Sequence, residues 1–206
     1  MTSSDSGGRE RVLDAAGRLF AALGYDGTST RMIAEAAGLN VATVAYHVGG
    51  KRDLYLAVME RAYLTERAAL EDALAEIDLD VDGLLTLTDR YIDFCVGNPE
   101  IPALWMHRWL SDASDVAHLE EQYVRPLTEM VAGTARKLVP DDVDVEYVVW
   151  TVVWCTHGFL CGGVLDADGR RHGRDDTHEL ARFRAHMRHL VATTIGPPGR
   201  SAQDGP

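Results

Sequence analysis

Cysteine is scarce in this chain. Cys95, Cys155 and Cys161 are the only three in 206 residues, and no two of them form a CxxC pair. An odd count without close pairs argues against a disulfide framework or a zinc site and leaves reduced thiols acting as small hydrophobes. Long apolar runs are missing too. No stretch reaches the roughly 18 residues that span a bilayer, and the opening "MTSSDSGGRE" lacks the apolar segment of a secretory leader. The expectation is a cytoplasmic protein that does not engage a membrane. The chain also lacks GxSxG, HExxH, Rossmann and P-loop patterns. "CGGVL" carries glycines, but without a following Lys-Ser/Thr. His186 and His189 are three apart in an Arg-rich helix, with no third ligand in view. The expectation is a non-enzyme without metal or cofactor.

Positive charge is in short supply. Twenty Lys and Arg face 32 Asp and Glu, for a net charge of −12. This disfavours a sequence-independent nucleic-acid binder, whose affinity would rest on neutralising phosphates. The distribution is uneven, however. Residues 1–60 hold six cations against seven anions (net −1), and residues 61–206 hold fourteen against twenty-five (net −11). Such asymmetry fits two parts with different partners.

What the chain has in abundance is helical periodicity. Val12, Ala16, Leu19, Phe20 and Leu23 mark one face of a first helix, and Gly24 stops it. Thr28, Ser29 and Thr30 offer an N-cap for "RMIAEAA", which ends at Gly38. Asn40 is a cap for "VATVAYHV", and Gly49–Gly50 ends that helix. A long helix starts near Lys51, with Tyr55, Met59, Ala62, Leu70, Leu74 and Ile77 in phase. Further helices are predicted in "LLTLTDRYIDFCVG", "IPALWMHRWL", "VAHLEEQYVRPLTEMVAGTARKLV", "VDVEYVVWTVVWCTHGFLCGGVL" and "THELARFRAHMRHLVATTI". Pro126 falls inside the third of these and is expected to kink it. "DADGRRHGRDD" reads as a polar loop. No strand pattern or internal repeat emerges, so the fold class is all-α with about nine helices.

The two short helices around Gly38 form a helix-turn-helix candidate, whose second helix would enter a major groove. Small Val41 and Ala42 would let the backbone come close. Thr43, Tyr46 and His47 offer donors to phosphates, and Lys51 adds an ammonium beside a helix N-terminus. Thr30 and Arg31 open the preceding helix. By spacing alone, the same residues also fit the ordinary surface of a small three-helix bundle.

The stretch "RVLDAAGRLFAALGYDGTSTRMIAEAAGLNVATVAYHVGGKRDLYLAVME" resembles the N-terminal domain of TetR/AcrR-family transcriptional regulators. The shared features are an amphipathic first helix ending "F…GY…TS", then "IA..AG", a Tyr-His pair and a small-residue–Lys turn. The departures are Ala45, where an aromatic is usual, and Val48, where Phe is usual. The resemblance implies a helix-turn-helix domain over residues 9–55 and a ligand-binding, dimerising domain over 56–196. Residues 1–8 and 197–206 are expected to be disordered tails. Carried over by position, the DNA contacts are Thr30, Arg31, Asn40, Val41, Ala42, Thr43, Tyr46, His47 and Lys51. The partners implied are a double-stranded DNA operator, a small-molecule effector and a second copy of the chain. The function implied is a ligand-responsive repressor. The alternative is a helical small-molecule-binding or scaffold protein that has lost specific DNA binding.

Thr151, Cys155, Gly158 and Gly162 recur at helical spacing as a stripe of small residues that lets a second helix approach. Phe183, Met187, Leu190 and Val191 offer an apolar stripe on the last helix. Family members dimerise through their last two long helices, so these residues, with Phe159, are assigned to a dimer interface. Packing within one subunit is the other reading of both stripes. Aromatic residues with a few polar tips suit a planar or apolar ligand. Tyr91, Phe94, Trp105, His107, Trp109, Tyr123, Trp150, Trp154 and His157 are the pocket candidates, although such stripes also simply build core.

Overall fold

The structure is a computed structural model that describes residues 3–110 and 112–196, with side chains from Gly7 onward. The expected tail 197–206 lies outside the described residues. Among the described residues nine α-helices run in order: α1 (Ser3–Gly27), α2 (Thr30–Ala36), α3 (Val41–Val48), α4 (Lys51–Glu76), α5 (Val81–Gly97), α6 (Glu100–Trp109), α7 (Arg125–Ala135), α8 (Val145–Gly162) and α9 (Thr177–Ile195). No helix among the described residues is long and apolar enough to cross a membrane. α1 begins at Ser3, so residues 3–8 are helical where a disordered tail is expected from the sequence. Its helical geometry breaks at Gly24 (φ 73°, ψ 172°), the residue whose type marks the stop.

The chain forms two compact units. Of the described residues, one contains 3–66 and 98–123, and the other contains 67–97 and 124–196. In the first, α1 packs on α2, α3 and α6. Val12, Leu13, Ala16 and Phe20 of α1 are buried together with Ile33 of α2, Val44 of α3, and Leu54, Tyr55 and Met59 of α4. Full burial of each large aliphatic or aromatic group is worth about 1.5–3 kcal/mol. Phe20 meets Tyr55 edge-on, with ring centroids 5.2 Å apart. In the second unit, Leu84 and Leu85 of α5 join Ala132 and Ala135 of α7, Val145 and Val149 of α8, and Val191 and Ile195 of α9 in one apolar cluster. Arg184 and Arg188 of α9 pair with Asp89 of α5, and Arg184 also meets Asp93 at 2.6 Å.

Two segments depart from the sequence reading. The helix expected over 116–139 is in fact a loop, a π-helical turn (Glu120–Val124) and then α7. Pro126 stands in the first turn of α7, where the missing N–H leaves no ladder bond unmade. It therefore starts a helix rather than kinking one. The second departure is the predicted loop 166–176. It belongs to a two-stranded hairpin, β1 (Val164–Leu165) antiparallel to β2 (Arg171–His172). Strands of two residues are too short to show alternation. The turn is set by Asp166, whose Oδ1 accepts from the N–H groups of Asp168 (2.9 Å) and Arg170 (2.8 Å), with Gly169 at φ 75°.

Candidate nucleic-acid interface

The helix-turn-helix is assembled by caps. Ser29 accepts from the Met32 N–H at 3.3 Å and starts α2. Asn40 Oδ1 accepts from the Thr43 N–H at 2.8 Å and from the Thr43 hydroxyl at 3.0 Å, and so starts α3. Between them, Gly38 takes φ 68°, a conformation that costs little without a Cβ. Ile33 and Val44 are the buried anchors of the two helices. The residues that project outward are therefore those left over by the period. Val41, Ala42 and Tyr46 are exposed, Tyr46 at 79%. Arg31 is exposed and Thr30 half-buried at the start of α2. The eight-residue α3 with this outer face fits the width of a major groove.

Gly49 and Gly50 lead into α4. The Gly50 N–H donates to Asp53 Oδ2 at 3.0 Å, an N-terminal cap supplied from within the helix. A Cβ at Gly49, itself at φ 79°, would stand 2.6 Å from that oxygen. Lys51, in the first turn, lies with its ammonium 4.3 Å from the centre of the Tyr25 ring.

Several assigned contacts already have local work. Asn40 and the Thr43 hydroxyl bond each other, so for these two the cap is what the structure shows. His47 is half-buried against Gly8 of α1, where an added Cβ would meet its Nε2 at 2.6 Å. The exposed candidates are Arg31, Asn40, Val41, Ala42 and Tyr46, and Lys51 is half-buried. Ala45, where the family pattern expects an aromatic, is exposed, and Val48 is half-buried.

Sequence reasoning missed the groups that hold the end of α1. Asp112 accepts from the N–H groups of Tyr25 and Asp26, the latter at 2.9 Å. His107 Nε2 lies 3.1 Å from the carbonyl oxygen of Ala21. Arg108, with its side chain 10% exposed, grips Glu120 through Nε (2.7 Å) and Nη2 (3.1 Å). That paired hydrogen bond, foremost, lowers the Glu120 pKa and raises that of Arg108. Asp112 is 87 residues from Tyr25 along the chain, and nothing local in either stretch signals the pairing.

The nine aromatic and His pocket candidates fall into both units. Trp105, His107, Trp109 and Tyr123 belong to the first, and Tyr91, Phe94, Trp150, Trp154 and His157 to the second. Trp105 is buried and stacks on Trp109 with centroids 6.1 Å apart, and Tyr123 stacks on Tyr63 at 5.1 Å. In the second unit, the Tyr91 hydroxyl and His157 Nε2 are 2.8 Å apart in the interior. Burial pushes the His157 pKa down to about 4, so it is neutral near pH 7. Trp150 and Trp154 lie 5.2 Å apart, and Trp154 is 49% exposed.

The expected dimer residues divide by burial. Phe159, Met187 and Val191 are buried within the chain itself, and Phe159 stacks flat on Phe183 at 4.3 Å. These apolar groups build the subunit's own core and offer a partner little surface. Cys155 and Gly162 face outward, while Thr151, Gly158, Phe183 and Leu190 are half-buried.

Comparison with known proteins places this geometry. Residues 12–58 match a family profile described as "Bacterial regulatory proteins, tetR family". A stretch of 84 residues is 33% identical to the HTH-type transcriptional repressor AcnR of Corynebacterium glutamicum, covering 40% of this chain and 43% of that protein. The match thus spans less than half the length of that curated relative. The HTH-type transcriptional repressor SCO4008 of Streptomyces coelicolor is 24% identical over 149 residues, 70% of this chain and 74% of its own. The fold is shared with the crystal structure of PfmR, a TetR-family regulator from Thermus thermophilus. There the TM-score is 0.67 at 18% identity, with 98% of this chain and 100% of that one covered. With its capped α2–α3 pair and its Gly-Gly turn into α4, the segment 12–58 matches the profile of the tetR family of bacterial regulatory proteins.

Proposed function

We propose that the chain is a ligand-responsive transcriptional repressor that binds a palindromic operator as a homodimer and is released by a small effector. The observation that carries this reading is the outer face of α3. Tyr46 stands 79% exposed on a helix whose inner face is anchored by Val44, with Lys51 one turn beyond. That arrangement offers a hydroxyl and an ammonium to phosphates while Val41 and Ala42 approach base edges. The relatives are repressors by name, which supports the same direction. DNA recognition is assigned to residues 9–55, and effector binding and dimerisation to 56–196.

Dimerisation is assigned to the outward side of α8. Cys155 and Gly162 are exposed there, and Trp154 adds a large apolar group that no monomeric core covers. Two copies would bring two recognition helices to half-sites about one helical turn apart. The effector is assigned to the second unit, beside the Tyr91–His157 pair, whose chemistry suits an apolar or aromatic molecule with one polar group. It must bind the DNA-incompetent state more tightly than the competent one, because equal affinity shifts nothing. The rival reading, a helical binding protein without DNA affinity, rests on Ala45 and Val48. Both lie beside Tyr46 without covering it.

The test is a mobility shift on the DNA upstream of the chain's own gene, at physiological salt. Retarded complexes that disappear with Tyr46→Ala and weaken with Lys51→Ala are expected. If no upstream duplex is retarded and neither variant matters, the regulator reading is wrong and the rival stands.

A further inference from the structure

The last turn of α6 and the segment following it lie outside the helix-turn-helix in sequence, yet they are bonded to the end of α1. In an unbroken helix the Tyr25 N–H would donate to the Ala21 carbonyl. The flip at Gly24 separates the two groups. Each finds a partner from the same outside segment. Asp112 takes the Tyr25 N–H and, at 2.9 Å, the Asp26 N–H. His107 Nε2 sits 3.1 Å from the Ala21 oxygen. The Gly24 carbonyl is closed off by the Thr28 hydroxyl at 2.7 Å. The break in α1 is thus sealed on its donor side and its acceptor side by residues 107 and 112. The seal also needs glycine. A Cβ at position 24 would stand 3.0 Å from Asp112 Oδ2 and 3.2 Å from His107 Nδ1, at a φ of 73°.

Asp112 is itself held. Arg108 Nη1 donates to the Ala113 carbonyl and lies 3.4 Å from that of Asp112, while its other nitrogens grip Glu120. Ala113 sits at φ 52°, an uncommon conformation for a residue with a Cβ, and this network holds it there.

On the far side of the seal is Tyr25. Its ring packs between Phe20 and Tyr55, with centroids 6.0 and 4.9 Å away. The Lys51 ammonium lies over this ring, 4.3 Å from its centroid. A chain of contacts therefore connects Glu120 to Lys51: Arg108 to the 112–113 backbone, Asp112 to the Tyr25 backbone, and the Tyr25 ring to Lys51.

We propose that Asp112 is a positioning residue for DNA binding: it fixes Tyr25, and the Tyr25 ring sets the Lys51 ammonium where a phosphate meets it. This rests on the assignment of Lys51 to a phosphate above. It adds a residue far outside the recognition motif on which DNA affinity depends. It also provides a route by which a displacement of residues 107–120 weakens binding without touching α3.

Salt dependence separates positioning from a general loss of structure. The slope of log K against log salt counts neutralised phosphates, at about 0.9 per contact. The probe is the duplex upstream of the chain's own gene, titrated over a range of salt. Lys51→Ala is expected to lower the slope by about 0.9 per subunit and affinity about fivefold per subunit near 0.15 M salt. Asp112→Ala reproduces both changes, and Asp112→Ala combined with Lys51→Ala binds no worse than Lys51→Ala alone. Asp112→Asn, which keeps an acceptor oxygen, recovers part of the slope. Tyr25→Leu keeps the backbone bonds to Asp112 but removes the ring, and it lowers the slope as Lys51→Ala does. That variant serves even if Asp112→Ala fails to fold, as judged by thermal melting. If Lys51→Ala lowers the slope while Asp112→Ala and Tyr25→Leu do not, or if their effects add in full, the positioning role is wrong and the phosphate assignment survives. If Lys51→Ala itself leaves the slope unchanged, the phosphate assignment falls and the positioning role falls with it.

Discussion

His157 is an interior group whose titration bears directly on stability. It is 2% exposed, and burial holds its pKa at about 4, against about 6.5 in an unfolded chain. Between those values the unfolded chain binds the proton and the folded chain does not. Stability is therefore full above about pH 6.5 and falls as the pH drops toward 4. The loss amounts to about 3 kcal/mol across the window. Urea unfolding at pH 7.5 and pH 5 is expected to show about 2 kcal/mol of this drop, and His157→Gln, which retains a polar group toward Tyr91, is expected to flatten it. An unchanged pH dependence in the variant would mean that other groups carry the acid sensitivity. Gly24 gives a second outcome at the same scale. Gly24→Ala forces a Cβ into a left-handed position against Asp112 and His107. A loss of about 1 kcal/mol or more is expected on the general cost of that conformation, together with weaker operator binding. A melting temperature equal to that of the parent would show that the α1 break relaxes without cost.

Elements were legible where the signal is local. The α2 cap falls on Ser29, one of three neighbouring candidates, the α3 cap on Asn40, and the stops on Gly24 and Gly49; all act within a turn of their own position. Elements that depend on distant partners were not legible. The π-helical turn at 120–124 follows a loop tied down by Arg108, and with that loop in place Pro126 stands at a helix start rather than in an interior. Phe159, Met187 and Val191 satisfy an interface pattern and a core pattern equally. Only the packing of α5, α8 and α9 decides for the core. The hairpin 164–172 is a further case, because its lock is a side-chain bridge. His172 lies 2.9 Å from Asp166 through Nε2 and 2.8 Å from Asp176 through Nδ1, and Asp176 also caps α9. The hydrogen bond to Asp166, then that to Asp176, raises the His172 pKa; the His172 bond lowers that of Asp166, and the Glu179 N–H, then His172, lowers that of Asp176. The folded His172 pKa is raised, so its contribution is complete below the unfolded value and disappears as pH rises through the folded value. The carboxylates contribute above their unfolded values and lose that contribution in acid. Hydrogen exchange at the Asp168 and Arg170 amides is therefore expected to be slowest in mildly acidic solution. After correction for intrinsic rates, protection should weaken on both sides of that window, and His172→Ala should remove the alkaline limb. Flat protection across pH would show that the backbone turn alone holds the hairpin.

At the scale of the whole molecule, the charge balance makes the assembly decisive. The first sixty residues carry a net −1 and the remainder −11, so one copy has little long-range attraction for DNA. On the proposed function, affinity comes from short-range contacts made twice. Joining two copies makes the second half-site encounter intramolecular, and such linkage raises overall affinity by about 10²- to 10⁴-fold. The outward side of α8 is where that linkage is assigned, and Cys155 lies on it with Gly162, away from the interior packing of Phe159. Cys155→Arg places a charge where two apolar faces would meet while leaving the subunit core alone. The variant is expected to sediment as a monomer at micromolar concentration, with unchanged far-UV circular dichroism and with operator affinity reduced by that same order. Its loss should be one of linkage rather than contact, so a half-site duplex should bind variant and parent equally. A variant that remains dimeric and binds the full operator normally would move the interface away from this face of α8. A variant that is monomeric yet keeps full affinity would show that one copy suffices, and the account of how an acidic chain grips DNA would have to be rebuilt on contacts within a single subunit.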